Sequence, residues 1–424
     1  MPDQSGPLDA NRIADAADSV DAATPPDASV LPDLVALPDY TITQDLTVMN
    51  DLAPQFPPPL PEVITYGGPV LSTPRVHPIY FAGTPDPMAN DVQTFLPELQ
   101  STGYWTQTTS EYGVGNLQIL SALQLPGAAP ATLDDATLQH LIGAQLSGSN
   151  PPWGANDTNA IYLLILPSTT TMTSSLGTSC NEFVGYHGEG VVPGGTRFVY
   201  AVACLCPGLY LPILSDLGQR TMVISHELVE AATDPYFMSD PAYQGEDDAN
   251  VIWTLTLGGE LGDMCEFNSD AYVIPQGGHY SVQRTWSNAA ARQHHIPCVP
   301  ATGSQPFFDV YPVLSQRTVT LNNSPFTVDT VDVPIGQTKV VDLKLYSATP
   351  TTGPWAVTVW DWEAYNNNAA TTTLSLDKAN GQTGDTLHLS ITAKASDTKF
   401  PGEAVLILSD LNGQETWSIV YVTN

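Results

Sequence analysis

Hydrophobic positions recur along this chain with two different periods, and the change from one to the other divides it. Through residues 62–303, apolar runs of strand length alternate with stretches of helical spacing. Val76 to Phe81 and Ala160 to Leu166 are short apolar runs between turn signals and predict buried strands. Thr132 with Asp135 has the spacing of a capping box that opens a helix through Leu138, Leu141, Ile142 and Leu146. The strongest helical pattern runs from Leu217 to Asp234. Val223, Ile224, Leu228, Val229 and Ala232 form its apolar stripe, and Pro235 disfavours helix at the residue before it.

From residue 304 onward the pattern shortens to β-rich runs separated by turn residues: Arg317–Leu321, Thr327–Val333, Lys339–Tyr346, Trp355–Trp362, Thr371–Leu376, Thr386–Thr392, Ala404–Leu408 and Thr416–Val422. Asn412-Gly413 between the last two is a hairpin signal, because both residues tolerate positive φ. The expectation is an antiparallel β-sandwich of immunoglobulin-like architecture. Residues 1–61 carry neither period. Asp and Pro dominate, Arg12 is the one base, and Asp recurs at 3, 9, 15, 21, 27, 33, 39, 45 and 51. Such a segment buries too little apolar surface to offset its ordering entropy, so a disordered tail is expected, serving as a surface tether or as a pro-segment. The fold class that follows is multidomain α+β: the tail (1–61), a mixed helix–strand domain (62–303) and a β-sandwich accessory domain (304–424).

Composition narrows the function classes. Acids outnumber bases 44 to 12 and the formal net charge is −32. Binding to a nucleic-acid backbone is excluded on that balance, since phosphates call for Lys and Arg. No apolar run approaches the ~20 residues of a transmembrane helix. The five cysteines, Cys180, Cys204, Cys206, Cys265 and Cys298, contain no C-x-x-C pair, which speaks against a thiolate zinc site. Two disulfides and one free thiol, in an extracellular or cell-surface protein, are the simplest count. An exported protein carries a signal peptide, so this N-terminus reads as that of a mature or trimmed form.

The chemistry concentrates in Ser225-His226-Glu227-Leu228-Val229-Glu230. On a helix His226 and Glu230, four apart, point the same way, with Glu227 beside them. That is the arrangement of a zinc-hydrolase helix: two ligands one turn apart, and an intervening Glu that takes a proton from water. The usual second His is here Glu230, which ligates through oxygen. The acidic block Gly259-Glu260-Leu261-Gly262-Asp263-Met264-Cys265 offers a third ligand. Asp263 is the first choice, because Gly262 permits close backbone approach. Glu260 is the competitor, and Asp234, at the helix end, is expected to brace a loop. His187 is a further candidate ligand or substrate-polarising group, against a structural hydrogen-bonding role. His294-His295 reads as a surface pair. Asp240 with Glu246, Asp247 and Asp248 offers oxygens to calcium but lacks a standard loop spacing. Ser225 is no hydrolase nucleophile, for the G-x-S-x-G elbow is missing.

Several blocks resemble the EXORDIUM-like, phosphate-induced family of secreted proteins and its bacterial relatives. They are Tyr66 to Leu71 followed by Ile79 to Gly83, Gly185-Tyr186-His187, Tyr200-Ala201, Cys206-Pro207-Gly208 and Thr233-Asp234-Pro235. To these are added the segment Ser225 to Pro235, the block Gly262 to Cys265, and Trp286-Ser287-Asn288 before Cys298. The resemblance spans roughly residues 62–300 and implies a zincin-like catalytic fold outside the cytoplasm. It also implies a Cys265–Cys298 disulfide, since both cysteines sit in matched blocks. Cys180 is expected to pair with Cys204 or Cys206. The resulting expectation is a secreted zinc metallohydrolase, most directly a peptidase, acting on a peptide or cell-wall substrate. The alternative is a non-catalytic cell-wall or glycan-binding protein on the same scaffold.

Overall fold

The computed structural model describes residues 56–321, 324–366, 368–394 and 402–424. It is a mixed helix–sheet protein with several sheets. The run Ala160–Ile165 is buried at every position, as befits a strand covered on both faces. It lies at the centre of a six-stranded sheet. Arg75–Phe81 pairs with it in parallel on one side and Arg197–Ala203 in parallel on the other. Gln118–Ile119 and Leu123–Leu125 extend the sheet beyond Arg75–Phe81. Gly185–Val191 closes the other edge antiparallel to Arg197–Ala203.

Across this sheet packs the helix Asp216–Thr233, which stops one residue before Asp234 as Pro235 requires. Ser215 caps its start, its hydroxyl accepting from the Gly218 N–H. Every residue from Gly218 to Thr233 is buried, polar ones included. The sheet covers one face of the helix, and the segments around residues 260–286 cover the other. The helix near residue 135 begins differently from expectation. It spans Asp135–Gln145, and its cap is Asp134, whose carboxylate accepts from Thr137 N–H and Oγ1. Thr132 lies in a short strand that pairs with Thr171–Ser174. Asp134, the last residue of that strand, reaches the free N–H groups of the first turn; Thr132, two residues earlier, caps nothing there.

The C-terminal part consists of two facing sheets. One has the order Phe308–Pro312, Thr338–Ser347, Thr386–Ala393, Thr372–Leu376. The other runs Ser315–Leu321, Ser324–Asp332, Gln414–Thr423, Glu403–Leu411, Trp355–Asp361, Asn380–Gly381. Val341, Leu343 and Leu345 alternate inward from the first sheet and meet Trp355, Val405, Ile407 and Val420 from the second. Asn412 and Gly413 form the tip of the last hairpin with φ of 58° and 80°. The pairing is not wholly antiparallel: Thr330–Asp332 runs parallel to Tyr421–Thr423.

Residues 1–55 of the expected tail lie outside the described residues. Its last six positions do not behave as a tail. Leu60 is buried, and Phe56 stands edge-on to Tyr311 and Tyr346. The prolines around them lack N–H groups, so an irregular segment can be packed there at little hydrogen-bonding cost. Val63 is then pinned by Asn288, which accepts from its N–H at 3.0 Å and donates to its carbonyl at 2.8 Å. The two parts of the chain meet in one continuous core through Trp253, Trp286, Phe307 and Ile419. Of the expected surface pair, His295 is exposed, while His294 is half-buried at this seam with its ring against Phe307 and Tyr346.

Candidate metal centre

The site helix carries His226, Glu227 and Glu230 into the protein interior, each no more than 2% exposed. His226 and Glu230 face the acidic block, with His226 Nε2 3.0 Å from Glu230 Oε2. Asp263 enters from the start of the short helix Asp263–Glu266, its Oδ1 3.7 Å from the same imidazole nitrogen. Ligands at 2.0–2.1 Å around a tetrahedral ion are separated by roughly 3.3 Å. The two observed spacings bracket that value.

The backbone shapes this centre. Gly262 N–H donates to Glu230 Oε1 at 2.7 Å, and Asp263 N–H to the same oxygen at 3.3 Å. One carboxylate oxygen is thereby fixed by the main chain, and the other is directed at His226. A side chain at residue 262 would destroy this fit, because a Cβ there would lie 2.6 Å from His226 Nδ1 and 2.7 Å from Glu230 Oε1. The block itself is held from behind. Gln283 Nε2 donates to the Gly262 carbonyl, Trp286 N–H to that of Leu261, and the Cys265–Cys298 disulfide ties the short helix down. Asp263 Oδ2 accepts from the Glu260 N–H at 3.2 Å, which sets the carboxylate's orientation.

Two further candidates join the cluster. His187, on the edge strand and fully buried, has Nδ1 4.0 Å from Glu230 Oε2 and Nε2 3.7 Å from Glu260 Oε1. Strand periodicity places Gly185 and His187 on the helix-facing side. Glu227 lies against Gly185, its Oε1 only 2.3 Å from where a Cβ would be, so the absent side chain makes room for it. Glu227 and His187 therefore line the same gap between helix and edge strand. Asp234 is not brought in as a ligand. Its Oδ1 accepts from the Ala242 N–H at 2.6 Å and its carbonyl lies 3.2 Å from His187 Nε2. Burial pushes its carboxyl up to about 6, opposed by the Ala242 hydrogen bond and by His187.

The proposed calcium oxygens are dispersed. Asp240 pairs with Arg197, Asp247 caps the turn at Asp248–Asn250, and Glu246 turns inward to Thr254. Among the described residues they form no metal-ligand group. Cys180 pairs with Cys206, and Cys204 is a buried free thiol whose pKa burial raises to about 12. Ser225 is consumed structurally, donating to Met222 O and accepting from Gln283 N–H. No described helix is long and apolar enough to cross a membrane.

A cavity of about 220 Å³ opens beside His187. Asp135, Tyr186, Tyr200 and Phe237 are among its walls, with Asp135 Oδ1 accepting from both phenols at 2.8 and 2.5 Å. Sequence reasoning missed this feature. Its residues lie on four separate elements, and only the Gly-x-His alternation of the edge strand hints at it.

No protein-family model and no curated protein matches this chain. Among solved structures, a trigonal form of titin M4 is similar at 14% identity over 27% of this chain and 93% of that one, with a TM-score of 0.16. Domains 4 and 5 of the S-layer protein SbsC are similar at 14% identity over 37% of this chain and 93% of that one, with a TM-score of 0.17. Likeness at this level carries no argument about function.

Proposed function

We propose that this chain is a secreted, zinc-dependent hydrolase of zincin-like type, acting on peptide or cell-wall material. One observation carries the reading: His226, Glu230 and Asp263, all buried, converge with donor-atom spacings of 3.0 and 3.7 Å at His226 Nε2. The fit to a divalent ion rests on the donor chemistry and on the Gly262 cradle that a Cβ would fill. One imidazole and two carboxylates suit zinc, with a further position left for water or substrate. A bound zinc ion would supply Lewis acidity, making water a better nucleophile near neutral pH and polarising a scissile carbonyl.

The protein's own groups divide the remaining work. Glu227, in the gap shared with His187, accepts the proton that water loses and passes it to the leaving group. The main-chain N–H groups of Gly262 and Asp263 hold Glu230 in place throughout. Substrate approaches along the cavity beside His187. The two disulfides suit an oxidising, extracellular setting.

Burial favours a second reading. No member of the cluster exceeds 2% exposure, as in structural metal sites that stabilise a fold without turnover. Glu227→Gln separates the two. As an enzyme, the variant retains zinc and loses at least ten-fold in peptide hydrolysis. Unchanged zinc content with no hydrolysis by either protein selects the structural site. Asp263 is assigned as the third ligand where Asp263→Ala empties the position beside His226 Nε2 in a zinc anomalous map and Glu260→Ala leaves that position filled; the reverse result transfers the role to Glu260.

A further inference from the structure

A catalytic zinc site uses three protein ligands, and the cluster around Glu230 presents five ligating side chains. His226, Glu230 and Asp263 account for the first position. His187 and Glu260 remain, each no more than 1% exposed. They are not on the far side of the first group. Glu230 Oε2, which stands 3.0 Å from His226 Nε2, also faces His187 Nδ1 at 4.0 Å, and the other nitrogen of that ring faces Glu260 Oε1 at 3.7 Å. One donor atom from each of His187, Glu230 and Glu260 falls within 4.8 Å of the others. Resting on the zinc reading above, we propose that His187, Glu260 and Glu230 form a second divalent-cation position that shares the Glu230 carboxylate with the first.

Three physical arguments support this. The first is charge. Glu230, Glu260 and Asp263 are three carboxylates in a water-poor interior, and one divalent ion leaves one negative charge over. The fully buried arginines Arg220 and Arg284 do not supply the balance, being turned to Asp86 and Asp270. A second divalent ion brings the group to a single positive charge, which Glu227 beside it offsets.

The second argument is geometry. A shared carboxylate is compatible with the ~3.5–4 Å separation of two-metal hydrolytic sites, where the second ion would supply further charge stabilisation. With one His187 nitrogen as ligand, the three donor atoms lie within 4.8 Å of one another, so side-chain rotation on binding closes the remaining gap to a tetrahedral edge of roughly 3.3 Å.

The third argument is placement. His187 lies between the cluster and the 220 Å³ cavity, so an ion held there is the one nearer an incoming substrate. Nitrogen and carboxylate donors without thiolate suit zinc and manganese alike.

The test counts ions on the full chain. The protein is stripped with a strong chelator, given excess Zn²⁺, and passed through metal-free desalting resin. A surface with a net charge of −32 collects divalent ions weakly, and desalting removes these. Zinc per chain is then measured by elemental analysis. The expected values are two for the parent and one for each of His187→Gln and Glu260→Gln. One zinc per parent chain overturns the second position and leaves the first standing. None overturns both. Two zinc ions in the parent and also in both variants place the second ion elsewhere and overturn the assignment. Should a variant fail to fold, as judged by its circular dichroism, the parent count decides alone, since two ions are required.

Discussion

Replacing Gly262 with alanine isolates the steric logic of the metal centre. The residue has φ −73° and ψ −45°, an ordinary right-handed conformation that alanine adopts freely. Without neighbours, the change would stabilise the fold by roughly 0.4–1 kcal/mol through the unfolded chain's lost entropy. The neighbours reverse the sign. The new Cβ would stand 2.6 Å from His226 Nδ1 and 2.7 Å from Glu230 Oε1, and both side chains are buried with little room to retreat. Overpacking of this kind costs about 1–3 kcal/mol. Displacing Glu230 also weakens its hydrogen bonds from Gly262 and Asp263, bonds to a charged group being worth about 1.5–3 kcal/mol each. The two terms overlap, because one movement relieves the clash and lengthens the bonds, so roughly 3 kcal/mol is the expected loss. Urea unfolding in chelator measures the metal-free stability, and a competition titration measures zinc affinity. The affinity should fall at least ten-fold, as losses around a metal's ligands do at ~10–100-fold. Gly353→Ala, where a Cβ meets nothing within 4 Å, serves as the control. A Gly262→Ala protein as stable as the parent, with unchanged zinc affinity, refutes the crowding argument.

Other expectations follow from buried charge and thiol chemistry. Asp309 is fully buried in the sandwich seam, and burial raises its carboxyl from 3.8 to about 7 against hydrogen bonds from Val310, Thr416 and Ser418. The folded state holds the proton more tightly, so its favourable contribution is complete below pH 3.8 and is lost as pH rises to about 7, on the order of 4 kcal/mol in all. Asp309→Asn should therefore gain stability relative to the parent across that window in urea titrations, and a constant difference would count against the assignment. Asp86→Ala leaves the Arg220 guanidinium buried without its partner at 3.0 Å and should lower stability by about 3–5 kcal/mol; a loss under 1 kcal/mol in the same titration contradicts it. Cys204 should resist alkylation in the native protein and react once it is unfolded. Unreduced peptide maps should show Cys180 with Cys206 and never with Cys204.

The parts of this structure legible in the sequence are those set by local pattern. The site helix is within a residue of its expected bounds because apolar spacing and Pro235 both act locally. The Asn412-Gly413 hairpin follows from positive φ in the same way. Phe308–Pro312 escaped notice because Asp309 lies inside it and breaks the apolar run. The side-chain hydrogen bonds that accommodate that carboxyl come from Thr416 and Ser418, more than a hundred residues away. The parallel contact between Thr330–Asp332 and Tyr421–Thr423 is likewise non-local. In the candidate centre, helical geometry alone places His226 beside Glu230. That Asp263 faces His226, while Glu260 turns toward His187, depends on how the Gly258–Gly262 chain crosses the helix. No spacing rule encodes that path.

The central claim is that His226, Glu230 and Asp263 hold zinc. A crystal of the full chain grown with Zn²⁺, with an anomalous difference map recorded at the zinc edge, tests it most directly. The account predicts a peak within about 2.0–2.2 Å of His226 Nε2, Glu230 Oε2 and Asp263 Oδ1, with nitrogen and oxygen ligands only. A map with no anomalous peak among these three side chains, or with its strongest peak elsewhere on the molecule, contradicts it.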